Sequence, residues 1–274
     1  PNFIDKTLGY FEDKAVAFVQ TPQVFYNLDS FQHRFDPKQR RMWTEQSLFF
    51  AVIQPGKDSW NAAFYCGSCA IIRRSSLEAI GGFATGTITE DIHTSIRLHA
   101  KGFKSIYHNE SLAYGIAAQT ALPFYIQRLR WGQGAMQVMR KENPLFIRGL
   151  TIPQRICYFA SMLSYFDGFQ KLIYYLSPPI YLLTGILPLV AFDMVFLAHF
   201  LPYFILFLIS FELVSRGHGS TVLTEQYNMS KFYIFMKSFK GFFSDSMIKF
   251  RVTPKAGSST VSYAMLAPQL FVLA

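Results

Sequence analysis

Residues 172–211 read LIYYLSPPIYLLTGILPLVAFDMVFLAHFLPYFILFLISF. From Leu172 to Phe192 no side chain is charged, and from Met194 to Phe211 only His199 can take up a positive charge. Each run approaches the roughly 20 apolar residues with which an α-helix crosses a bilayer core. The stretch predicts a transmembrane hairpin turning at Asp193. The basic residues lie outside it: Arg140, Lys141, Arg148, Arg155 and Lys171 precede the first run, and Arg216, Lys231, Lys237, Lys240, Lys249, Arg251 and Lys255 follow the second. Positive flanks stay in the cytoplasm, so the turn at Asp193 is expected outside.

The chain of 274 residues carries a formal net charge of +9. Nucleic acid, anionic lipid and a phosphate-bearing substrate all suit such a charge. The basic residues surround apolar runs instead of forming one stripe, which favours lipid headgroups over nucleic acid.

The amino-terminal half is mixed and charged. Residues 15–20 read as a strand, 38–53 as a helix ending before Pro55-Gly56, and 64–72 as a buried strand. Gly81 and Gly82 mark a turn. A helix is expected from Thr89 to Gly102, followed by short strands at 103–107 and 111–116. Alternating strands and helices describe an α/β domain. Residues 122–141 form an amphipathic stripe, with Tyr125, Leu129, Met136 and Met139 on one face and Gln127, Arg130, Gln137 and Lys141 on the other. Such a helix lies flat at a membrane interface or covers the soluble domain. Residues 216–260 are polar, basic and aromatic, and read as a long cytoplasmic connection.

Three groups of residues carry chemistry. In Thr89-Glu90-Asp91 a carboxylate suits a general base, because a sugar hydroxyl attacks poorly unless its proton is accepted as the bond forms. The plainer reading is a capping box, Thr87-x-x-Glu90, with acids in the first helical turn. In Gln127-x-x-Arg130-Trp131 the indole offers a platform for a sugar ring and the guanidinium a fork for a diphosphate. The plainer reading is an interfacial tryptophan beside a snorkelling arginine. In Phe250-x-Val252-Thr253-Pro254-Lys255, Thr253 and Lys255 suit a phosphate and Pro254 prevents regular helix. Taken alone it is a basic juxtamembrane segment. Cys66-x-x-Cys69 has no second pair, as a structural zinc site would need, and reads as small buried residues.

The order T-E-D, Q-x-x-R-W, two spans, F-x-V-T-P-K resembles the family-2 processive glycosyltransferases, cellulose synthase catalytic subunits of bacteria above all. Val19-Gln20-Thr21-Pro22-Gln23, Phe31-Gln32, Tyr65-Cys66-Gly67-Ser68 and Gln154-Arg155 agree. The resemblance implies the C-terminal half of a GT-A-like α/β domain, then an interfacial amphipathic helix, a transmembrane hairpin and a gating loop. The corresponding divisions are 1–118, 119–156, 157–215 and 216–260, with 261–274 starting a further transmembrane helix.

It implies Asp91 as the base, with Thr89 and Glu90 shaping its surroundings. Trp131 and Gln127 would bind the acceptor, with Cys66, Gly67 and Ser68 lining its end. Arg130, Thr253 and Lys255 would hold UDP. Phe250, Val252 and Pro254 would belong to the gating loop. The implied reaction adds glucose from UDP-glucose to a growing β-glucan in the inner (plasma) membrane, with the catalytic domain cytoplasmic and an accessory export subunit as a further partner. Synthesis of β-1,3-glucan, chitin or hyaluronan is the near alternative. A non-enzymatic channel or scaffold is the alternative of another class, and gives no reason for an acid at Asp91 or an indole at Trp131.

The chain starts at Pro1 and stops at Ala274 inside an apolar run that begins near Val261, which reads as a segment of a longer protein. The family's D-x-D, and with it the ligands of Mg2+ or Mn2+, would lie before Pro1. No metal ligands are expected in this chain, and the fragment alone is expected to be inactive.

Overall fold

In a computed structural model, residues 2–37, 40–187, 193–243 and 267–273 are described. Strand β1 (Val16–Gln20) is buried along its whole length. Its run of Val, Ala and Phe has both faces covered, as the centre of a mixed sheet requires. Two short strands are introduced after it: β2 (Val24–Phe25) and β3 (His33–Asp36). Then come β4 (Arg41–Thr44), β5 (Ala70–Ile72), β6 (Lys104–Tyr107) and β7 (Tyr114–Gly115). β1 pairs antiparallel with β5 (Phe18 opposite Ile72) and parallel with β6 (Gln20 opposite Tyr107). β2 pairs with β7 in parallel, and β3 with β4 antiparallel.

The helices are α1 (Phe3–Leu8), α2 (Gln54–Asp58), α3 (Arg74–Glu78), α4 (Glu90–Ala100) and α5 (Ala121–Lys141). They continue as α6 (Ile152–Leu163), α7 (Asp167–Thr184), α8 (Met194–Ser215), α9 (Thr221–Ser238), α10 (Lys240–Phe243) and α11 (Ala267–Leu273). His99 of α4 fastens this helix to its neighbours, with Nδ1 2.7 Å from the Tyr158 hydroxyl of α6 and Nε2 3.0 Å from Ser105 Oγ of β6. The main core joins α4, α5 and α6 through Ile96, Met136, Val138, Tyr158 and Met162.

Several expectations change. Residues 38–53 are not one helix: β4 occupies 41–44, and a π-helical turn, Phe49–Ile53, runs straight into α2 through Pro55 and Gly56. Pro55 is the second residue of α2, directly after the π-helical turn. The expected strand at 64–72 is reduced to β5. Thr89, not Thr87, is the N-cap of α4, and no side chain caps it. Gln137, expected on the polar face of α5, is buried and accepts a hydrogen bond from the Ile88 N–H at 3.1 Å.

Helix α7 ends at Thr184, where Gly185 (φ 70°) turns the chain into the left-handed region. The start of α7 packs against α9: Lys171 pairs with Glu225 at 2.5 Å, and the Tyr175 and Phe232 rings lie 4.6 Å apart. Residues 221–238, expected as part of a long connection, are therefore a helix with Tyr227, Phe232, Ile234 and Phe235 buried. Among the described residues one helix, α8, is long and apolar enough to cross a membrane, and none of its apolar window is buried. Phe250, Val252, Thr253, Pro254 and Lys255 lie outside the described residues.

Candidate functional site

A cavity of about 610 Å³ opens where α4, α5, α6 and α9 converge on the loops after β4 and before β5. Asp91 and Thr89 line it from the start of α4, Trp131 from α5, and Cys66 from the segment leading into β5. These four expected site residues, spread over 65 positions from Cys66 to Trp131, share one space. Glu90, Gln127, Arg130, Gly67 and Ser68 do not line it.

Asp91 lies in the first turn of α4, where the N–H groups favour an anion. Its Oδ1 accepts from the Ile92 N–H at 2.8 Å. Burial nevertheless dominates and raises its pKa to about 6, with Glu90 adding to the rise and Arg130 opposing it. A carboxyl poised there is ionised at neutral pH and still basic enough to accept a proton. Gly67 adopts φ 80°, and a Cβ on it would stand 3.2 Å from Asp91 Oδ2. Backbone therefore approaches the carboxylate at a distance that a larger residue would crowd. Arg130 is also within electrostatic reach of Glu90 and Asp91: burial lowers its pKa while both acids raise it.

The indole of Trp131 is held from a neighbouring turn of its helix. Arg128 places its guanidinium carbon over the Trp131 ring and over the Phe124 ring. Arg128 Nη2 donates to Glu45 Oε2 at 2.6 Å, and Lys231 Nζ of α9 donates to Glu45 Oε1 at 2.5 Å. Burial opposes the charge on Glu45, but the two cations outweigh it and hold the carboxyl at about 2. Gln127 Oε1 accepts from Arg128 Nη1 at 3.1 Å. The side chain that packs on Trp131 is thus the unspecified position 128 of the motif. Cys66 Sγ accepts from Gln54 Nε2 at 3.1 Å, and burial pushes the thiol far above its ordinary range, so it is a neutral wall group and no nucleophile.

Thr89 is gripped by α5: a Cβ on Gly134 would lie 2.4 Å from Thr89 Oγ1. Ser68 is exposed, its hydroxyl accepting from Gln23 Nε2 at 2.8 Å. Among the described residues no three His, Cys, Asp or Glu side chains converge to hold a metal ion.

Residues 1–212 match the family model described as glycosyl transferase family group 2. The chain belongs to that glycosyl transferase family. Within it, the chain is 36% identical over 257 residues to "Cellulose synthase 1" of Komagataeibacter xylinus, covering 93% of this chain and 16% of that protein. It is 35% identical over 257 residues to the "Cellulose synthase catalytic subunit [UDP-forming]" of Komagataeibacter sucrofermentans, covering 93% of this chain and 34% of that one. The like-named subunit of Pseudomonas fluorescens is 38% identical over 205 residues, covering 74% and 28%. The chain therefore spans about a third or less of the relatives it matches.

Glu45, Arg128, Lys231 and Lys57 also line the cavity and were not singled out from sequence. Arg128 left a trace there: it falls between Phe124 and Trp131 on one helical face, where a charge is out of place unless paired. Glu45 and Lys231 lie 186 residues apart and left none.

Proposed function

We propose that this chain forms the acceptor side of a processive, inverting glycosyltransferase that adds glucose from UDP-glucose to a growing, cellulose-like β-glucan. What carries the reading is the meeting in one cavity of a carboxyl with a pKa of about 6, Asp91, and an indole held on one face by Arg128, Trp131. A sugar stacked on Trp131 presents its hydroxyl toward the base. As that oxygen attacks the anomeric carbon, its proton passes to Asp91. The bond from the anomeric carbon to the UDP oxygen breaks, and configuration inverts. Gln127, Cys66, Gly67 and Ser68 belong to the acceptor side, Thr89 and Glu90 to the surroundings of the base, and Arg130 to the diphosphate.

The segment Phe250–Lys255 is read as a gating loop, with Thr253 and Lys255 at the phosphates; full synthesis by Thr253→Ala would remove that role. A divalent metal, magnesium or manganese, would neutralise the leaving diphosphate with ligands outside this chain. The α8 helix, apolar and uncovered, suits a membrane span and the start of export of the glucan, and the neighbouring apolar stretches suit an inner-membrane protein with its catalytic side in the cytoplasm. The test is product analysis with the full-length protein and labelled UDP-sugars. Incorporation of glucose into a β-1,4-glucan is expected. Incorporation of N-acetylglucosamine or glucuronate instead would reassign the polymer, and no UDP release from any donor would end the transferase reading.

A further inference from the structure

The π-helical turn Phe49–Ile53 and α2 form one continuous wall, and Phe49, Phe50, Ile53 and Lys57 of that wall all line the cavity. A π turn widens a helix by one residue and recurs at functional sites. The residues of this wall that line the cavity before Lys57, namely Phe49, Phe50 and Ile53, are apolar. This lysine is buried, and its ammonium lies 4.9 Å from the centre of the Phe64 ring. It donates one hydrogen bond, to Ser161 Oγ of α6. Its neighbours Cys66 and Cys157 are thiols, and among the described residues no carboxylate pairs with it.

The contrast lies in the other cations of the cavity. Arg128 and Lys231 both spend their charge on Glu45. An ammonium has three N–H donors, and burying one without partners is costly. With one N–H on Ser161 and the ammonium beside the Phe64 ring, Lys57 keeps donor capacity for whatever fills the cavity it lines. The surrounding rings, Phe49, Phe50, Phe64 and Trp131, suit the apolar faces of a pyranose, and Asp91 in the same space disfavours an anion.

We propose that Lys57 is a sugar-binding residue: its N–H groups donate to hydroxyl oxygens of the acceptor polysaccharide and set where that chain sits relative to Asp91. This rests on the transferase reading and adds to it a side chain that none of the motifs contains.

The test uses the full-length protein in nanodiscs, with cellohexaose and UDP-glucose as separate probes in calorimetry. Lys57→Met keeps the length of the stem and removes the donors. Its cellohexaose Kd is expected to rise about tenfold or more, with UDP-glucose binding unchanged, and Lys57→Gln, which restores an N–H donor, is expected to recover part of the loss. Unchanged cellohexaose binding by Lys57→Met would overturn the role of Lys57 and leave the transferase reading standing. Equal loss of both probes in both variants would mark a structural lysine and overturn it also. A carboxylate-bearing cello-oligosaccharide that binds better than cellohexaose would reassign Lys57 to an anion. If the unaltered protein binds neither probe, the transferase reading itself falls and the proposal with it.

Discussion

The guanidinium carbon of Arg128 lies 4.2 Å from the centre of the Trp131 ring, while its Nη2 donates to Glu45 at 2.6 Å. One side chain thus links the indole to a carboxylate 83 residues earlier in the chain. Arg128→Lys keeps the charge and loses the plane that stacks. It is expected to keep most of the stability while lowering polymer synthesis, with KM for UDP-glucose little changed. Arg128→Met removes one of two cations from a buried acid, which costs about 3–5 kcal/mol. In a double-mutant cycle with Glu45→Gln, thermal unfolding should reveal a coupling of about 1 kcal/mol or more. Additive effects would mean that the pair does not hold Trp131.

Asp91 gives a pH dependence of definite sign. Burial raises its pKa from 3.8 to about 6. A base must be ionised, so kcat/KM should fall as pH drops below about 6. Stability runs the other way. A carboxyl raised by folding favours the folded state fully below its unfolded value, and that contribution is lost as pH rises through 6. Asp91→Asn should therefore cost about 10²–10⁴ in rate and yet be more stable than the parent at pH 8, by on the order of 1–3 kcal/mol. Near-normal synthesis by this variant would take the base role from Asp91.

Gly134 joins α5 to the start of α4. A Cβ there would meet Thr89 Oγ1 and Cγ2 at 2.4 Å, far inside contact distance. Gly134→Ala should push the Thr89–Asp91 turn away from α5 and cost about 1–3 kcal/mol in stability. Synthesis should fall further than the folded fraction does, measured by comparing activity with circular dichroism at one temperature. A variant with full activity would show that this turn has room to move.

The membrane reading is tested from the ends of α8. A cysteine at Asp193 should react with an impermeant reagent applied outside the cell, while cysteines at Lys141 and Lys237 should not. The reverse pattern would place the cavity on the side away from cytoplasmic UDP-sugar.

Local chemistry made much of this protein legible before any fold was known. Strand β1 follows from the apolar run Val16–Val19, α4 from the acids at its start and Gly102 at its end, and α8 from the strongly apolar run Met194–Phe211, in which only His199 is ionisable. These depend on neighbours in the chain, and sequence order preserves neighbours. The helix proposed at 38–53 failed for the opposite reason. Arg41–Thr44 becomes a strand because β3 pairs with it, and the helical run that does form carries on from the π turn through Pro55-Gly56. Tertiary pairing overrides such weak local preferences.

The site divides in the same way. Asp91 and Trp131 stood out as candidates because their residue types suit the chemistry at short, regular spacings, and the fold brings both to one cavity. What holds and completes them was not. Glu45, Arg128 and Lys231 come from a loop and two helices, and Lys57 meets Ser161 across 104 positions. A charge looks like solvated surface until its surroundings are known. Only the closing of α9 over α5, and of α2 against α6, took these charges out of water, and burial is what turns a lysine or an arginine into a partner that a carboxylate, a ring or a sugar must answer.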